Sequence, residues 1–169
     1  MVNLVLIGFM GTGKSAVGRA LAARLGRPFV DVDEAIEREA GRPIRKMFAE
    51  QGEPAFRAAE RAMIQRVTQR DGQVIAAGGG AVMDEANWSA LTRRGWLVWL
   101  TAEPDIILQR IGDTASRPLL HGADPKGRMA ELLALRQATY AKADAVVDTS
   151  RRTVEQVVNE IIRCGEGAW

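Results

Sequence analysis

The chain has 169 residues, enough for one domain with a real core. Its 23 basic and 21 acidic residues leave a net charge of +2, so no large basic field argues for a nucleic-acid partner. A single cysteine, Cys164, excludes an intramolecular disulfide, and no apolar run is long enough to span a membrane.

The first informative stretch comes at once. Leu4-Val5-Leu6-Ile7 reads as a buried strand, Gly8-Phe9-Met10-Gly11-Thr12-Gly13-Lys14-Ser15 follows, and Ala16–Leu25 carries Val17, Leu21 and Leu25 on one helical face. Strand, glycine loop and helix with G-x-x-x-x-G-K-[ST] at the junction form a phosphate cradle. The glycines admit backbone angles closed to other residues and let phosphate approach the amides. Lys14 adds a mobile positive charge, and the Ser15 hydroxyl suits a Mg²⁺ that keeps most of its water. The apolar start lacks a basic leader and runs straight into this loop, which argues against a signal peptide.

Gly26-Arg27-Pro28 stops the helix, and Phe29–Asp33 reads as a second strand with Asp31 and Asp33 on one face at its carboxyl end. That end is where ligands sit in open α/β sheets, although Asp33 could instead cap a helix over Glu34–Ala40. After Gly41-Arg42-Pro43 the spacing predicts a short helix, Ile44–Gln51, then a longer one from Gly52-Glu53-Pro54 to Gln69. Phe56, Ala59, Met63 and Val67 form the apolar stripe of the longer helix. Arg57 lies beside that stripe, either snorkelling or clamping an anionic ligand.

Gln73–Ala77 is a third strand ending in Gly78-Gly79-Gly80, a turn or a bare-backbone contact with a ligand. Asp84 is placed to cap a helix to Arg94, Trp96–Leu100 reads as a fourth strand, and Pro104 opens a helix through Ile111. From Gly112 to Gly127 no apolar period survives, as expected of a mobile or functional segment. His121 reads there as an exposed loop residue. In the next helix Met129, Leu132, Leu133 and Tyr140 recur at helical spacing with Arg136 on the same stripe, where a charge needs a partner. Ala145–Asp148 makes a fifth strand, and Val154, Val157, Val158, Ile161 and Ile162 mark a final helix. Cys164 reads as a core residue at its end. Five strands alternating with helices predict one parallel sheet covered on both sides.

The joint order of the phosphate loop, Asp31-x-Asp33, Phe56-Arg57-x-x-Glu60, Gly78-Gly79-Gly80, Arg117-Pro118-Leu119-Leu120 and Arg136 resembles the shikimate kinase family across the whole chain. The resemblance implies a P-loop kinase fold of sheet order 2-3-1-4-5 and phosphorylation of the shikimate 3-hydroxyl by ATP with Mg²⁺. It implies that Gly11, Thr12, Gly13, Lys14, Ser15 and Ala16 wrap the ATP phosphates. Ser15 and, through water, Asp31 would hold the metal. Asp33, Arg57, Gly79 and Arg136 would bind the acceptor, Arg117 would come from a lid, and Arg152, or its neighbour Arg151, would lie near the adenine. Lys14, Asp33 and Arg117 would carry the catalysis. A cytoplasmic monomer without nucleic-acid or membrane partners completes the expectation. A gluconate or nucleotide kinase of the same fold is the alternative. A switch GTPase lacks its N-K-x-D motif here, and an assembly-type ATPase lacks its strand ending in paired acids.

Overall fold

In the computed structural model the chain is described except for residues 113–117 and 121. Arg117 and His121 therefore lie outside the described residues. Among the others the backbone forms a five-stranded parallel sheet of order β2-β3-β1-β4-β5, as the resemblance implied. Its strands are β1 (Asn3–Ile7), β2 (Phe29–Asp31), β3 (Val74–Ala76), β4 (Gly95–Thr101) and β5 (Ala145–Asp148). Along β1, Leu4, Val5 and Leu6 sit opposite Val74, Ile75 and Ala76 on one side and Trp96, Leu97 and Val98 on the other.

Alternation along β1 divides the core. Val5 and Ile7 point to a layer with α2 (Val32–Ala40), α3 (Ile44–Val67) and α4 (Glu85–Arg93), built from Ile36, Met47, Phe56, Met63, Ile64 and Leu91. Leu4 and Leu6 point to α1 (Lys14–Leu25) and α7 (Val154–Cys164) through Val17, Leu21, Val157, Val158 and Ile161. A third cluster, Phe9, Ile107, Leu120, Met129 and Leu132, joins the phosphate loop to α5 (Pro104–Ile111) and α6 (Pro125–Tyr140).

Two expectations change. The second strand ends at Asp31, and Val32 and Asp33 open α2 instead of extending the strand. Asp31 is the helix cap, accepting from the Glu34 N–H at 3.2 Å, while Asp33 sits in the first turn, where a negative charge suits the helix dipole. The two helices foreseen over residues 44–69 are present, separated at Gly52, whose φ of 80° and ψ of 172° break the axis. Pro54 follows in the first turn after that break, where its missing N–H costs nothing. Cys164 is exposed, not core: Trp169 packs edge-on against Trp96, with ring centroids 4.7 Å apart, and covers that end of the layer instead.

Asn3 ties the start of the sheet to the chain between α3 and β3. It is fully buried, its amide donates to the Arg70 carbonyl at 2.8 Å, and its oxygen accepts from the Gln73 N–H at 2.9 Å. Asn3→Ala strands that buried N–H and should cost about 1–3 kcal/mol. Urea unfolding checks this, and a midpoint equal to that of the parent chain would contradict the account.

Candidate active site

β1 ends at Ile7, and the next residue decides how the loop can run. Gly8 has a φ of 141°, and a Cβ there would lie 2.3 Å from the Leu100 carbonyl oxygen on β4. Only glycine fits against that strand. The loop closes on itself: the Thr12 hydroxyl donates to the Phe9 carbonyl at 2.8 Å, and Lys14 Nζ donates to the Gly8 and Phe9 carbonyls, each at 2.9 Å. Helix α1 begins at Lys14 with Gly13 as its cap and no side chain on its first amides, leaving a positive helix end available to an anion. Gly11, Gly13, Lys14, Ser15 and Ala16 line a cavity of about 310 Å³ beside this end. Thr12 does not; its hydroxyl and N–H both turn to Phe9, so it shapes the loop.

The Ser15 hydroxyl donates to Asp31 Oδ2 at 2.5 Å, although the two come from different βα junctions. A hydroxyl and a carboxylate at the mouth of a phosphate cradle fit Mg²⁺, which keeps several waters and takes its other ligands from phosphate. Among the described residues no group of three or more His, Cys, Asp or Glu could hold an ion alone, in keeping with that donor set.

A second cavity, of about 410 Å³, adjoins the first. The two share Met10, Ser15, Asp31, Asp33, Gly78 and Gly79. The second adds Arg45, Phe48, Phe56, Arg57, Glu60 and Arg136. Asp33 thus reaches the ligand edge from a helix turn, not from a strand end.

The two arginines differ. Arg57 has partners on its own helix. It reaches Glu60 at 2.7 Å and Glu53 at 3.2 Å, and stacks over Phe56 with 5.1 Å to the ring centroid. Arg136 is 5% exposed and lies 5.4 Å from the Phe9 centroid, and among the described residues no carboxylate comes within ion-pair distance of it. Glu60 was underweighted in the sequence. It is a carboxylate only 1% exposed, whose acidity is weakened by burial and partly restored by Arg57. Its position three residues after Arg57 was the available signal.

Arg151 and Arg152 are both exposed and line neither cavity; Arg151 faces Glu103 at 3.6 Å. Sequence reasoning passed over Arg110, whose guanidinium donates to the Gly11 carbonyl at 3.3 Å and to Thr149 Oγ1 and O at 2.9 and 2.7 Å. It locks the phosphate loop to the turn after β5.

A family model described as shikimate kinase matches residues 10–166. The shikimate kinase of Symbiobacterium thermophilum is 48% identical over 164 residues, covering 95% of this chain and 94% of that one. Among solved structures, shikimate kinase from Acinetobacter baumannii in complex with shikimate superposes with a TM-score of 0.95 at 34% identity, covering 99% of this chain and 94% of that one. The Aquifex aeolicus enzyme gives 0.85 at 34% identity over 98% and 97%.

Removing Arg57 should expose the cost of burying Glu60. Its carboxyl, already held above the ordinary range, rises further once the cation goes. A group that binds its proton more tightly folded than unfolded loses stability as pH climbs from its unfolded value, about 4.3, toward its folded one. Melting curves should therefore show the deficit of Arg57→Ala widening as pH rises above about 4.3, with Glu60→Gln in the same background flattening it. A deficit independent of pH would contradict this.

Proposed function

The chain belongs to the shikimate kinase family, and from that premise we propose that it transfers the γ-phosphoryl group of ATP to the 3-hydroxyl of shikimate with these residues. The observation that carries the residue assignment is the pair of cavities meeting at Asp31 and Asp33: a phosphate cradle on one side, an arginine-bearing chamber on the other.

Phosphoryl transfer through a loose transition state asks for positioning and charge neutralisation more than covalent chemistry. The amides at Gly11, Gly13, Ser15 and Ala16 hold the phosphates, with Thr12 keeping the loop in shape. Lys14 exchanges carbonyl contacts for the β- and γ-phosphate oxygens. Ser15 and Asp31 would hold Mg²⁺, which when bound would supply neutralising charge to the phosphates. Asp33 accepts hydrogen bonds from the acceptor hydroxyls and aims the 3-hydroxyl at the phosphorus. Arg57 and Arg136 grip the carboxylate in forked hydrogen bonds, and Gly79 adds a backbone contact. Arg117 closes over ATP from the segment around 112–127, and Arg152 or Arg151 meets the adenine.

We read residues 1–169 as one kinase domain acting as a cytoplasmic monomer, with no nucleic-acid or membrane partner. Among the described residues no helix is long and apolar enough to cross a membrane.

The direct test is ADP release with shikimate, gluconate and nucleoside monophosphates as acceptors. Turnover with shikimate alone is expected; equal or faster turnover with gluconate or a nucleotide would overturn the acceptor assignment. In the same assay Arg136→Lys, which keeps the charge and loses the fork, should raise the shikimate KM about ten-fold, the equivalent of losing roughly 1.4 kcal/mol. An unchanged KM would return Arg136 to a packing role.

A further inference from the structure

The triple-glycine loop presents its backbone asymmetrically. The Gly78 carbonyl accepts from the Ala81 N–H at 3.0 Å, the Gly80 carbonyl accepts from the Met83 N–H at 3.1 Å, and the Gly79 carbonyl accepts from the Tyr140 hydroxyl. Among the described residues none of the three glycine N–H groups donates to a protein acceptor. All three glycines line the larger cavity. The loop therefore has its acceptors satisfied and its donors left for a ligand.

Two of those carbonyls are held by local turns; only the middle one depends on a distant side chain. A peptide unit is planar and trans, so the Gly79 carbonyl and the Gly80 N–H point in opposite directions. Whatever holds the carbonyl sets the direction of that amide. The holder is a fully buried tyrosine at the last residue of α6, its ring tilted against Trp99 at 5.6 Å between centroids. Burial pushes the phenol above its usual range, so it remains a donor throughout neutral pH. Arg136 stands one turn earlier on the same helix, and a Cβ on Gly79 would come within 3.4 Å of its guanidinium. One helical turn thus delivers to the loop both the Arg136 guanidinium and the hydroxyl that orients the amides.

We propose that Tyr140 is a positioning residue for acceptor binding: its hydroxyl locks the Gly79–Gly80 peptide so that the glycine amides and Arg136 present one donor surface to the acid. This rests on the acceptor reading above. A tyrosine serving only as core filler would need its ring and not its oxygen.

Tyr140→Phe keeps the ring and its contact with Trp99. The shikimate KM should rise about five-fold or more, with the ATP KM and the turnover at saturating shikimate held within about two-fold. A shikimate KM within about two-fold of the parent, or equal losses for both substrates that track a lower melting temperature, would overturn the proposal. A second measurement does not depend on a variant. Tyr140 is the only tyrosine in the chain, so 3-fluorotyrosine incorporated during expression reports from this position alone. Its fluorine resonance should move on titration with shikimate and stay in place with ATP. Protein that binds shikimate while the label stays still contradicts the role of Tyr140 alone. Protein that does not bind shikimate at all contradicts the acceptor assignment beneath it.

Discussion

The constraint on which the site's geometry depends is the contact of Gly8 with β4. With no side chain at residue 8, the end of β1 can pass against the Leu100 carbonyl and turn into the loop, and a Cβ would close that route. From that turn follow the start of α1 at Lys14, its bare helix end, and the placing of Ser15 opposite Asp31. The loop is braced from outside by Arg110 and Thr149, so its shape does not wait for a ligand. A preformed cradle spares the ordering cost that a flexible loop would meet on binding.

The second organising feature is the handling of buried charge. Glu60, Arg57, Arg136 and Asp33 crowd a chamber whose walls include Phe48 and Phe56. A buried carboxylate is tolerated because Arg57 is beside it, and Glu53 accepts from Arg57 Nε and Nη2. Arg136 has no such partner among the described residues and rests on the face of Phe9. The two arginines thus differ in what already engages them: Arg57 is paired with Glu53 and Glu60, whereas Arg136 has no carboxylate of the described residues in ion-pair contact.

The phosphate loop was legible in the sequence because few residue types can run a strand into a helix around an anion. Sheet membership was legible because β1 and β4 are apolar through their length. Asp33 was misplaced for a physical reason. Phe29-Val30-Asp31-Val32-Asp33 alternates with a period of two, which mimics a strand, while Asp31 as a cap and Asp33-Glu34 in the first turn favour the helix that forms. Asp33 lines both cavities all the same, from a helix turn. Arg57 looked unpartnered because its partners sit on its own helix at spacings of three and four, where they also serve as ordinary surface pairs. Tyr140 was legible as core only, since nothing local says that a hydroxyl on α6 meets a carbonyl after β3. Such a pairing is a property of the assembled layers.

The account turns on Asp33, which with Asp31 is one of two carboxylates lining both cavities. Because Asp31 already caps α2, Asp33 has no capping duty whose loss would confuse the result. The decisive measurement is Asp33→Asn, followed in one purified preparation by melting temperature, ATP affinity and shikimate-dependent ADP release. The account predicts a melting temperature and ATP affinity close to those of the parent with shikimate turnover nearly abolished. Turnover equal to the parent's in that variant would contradict it.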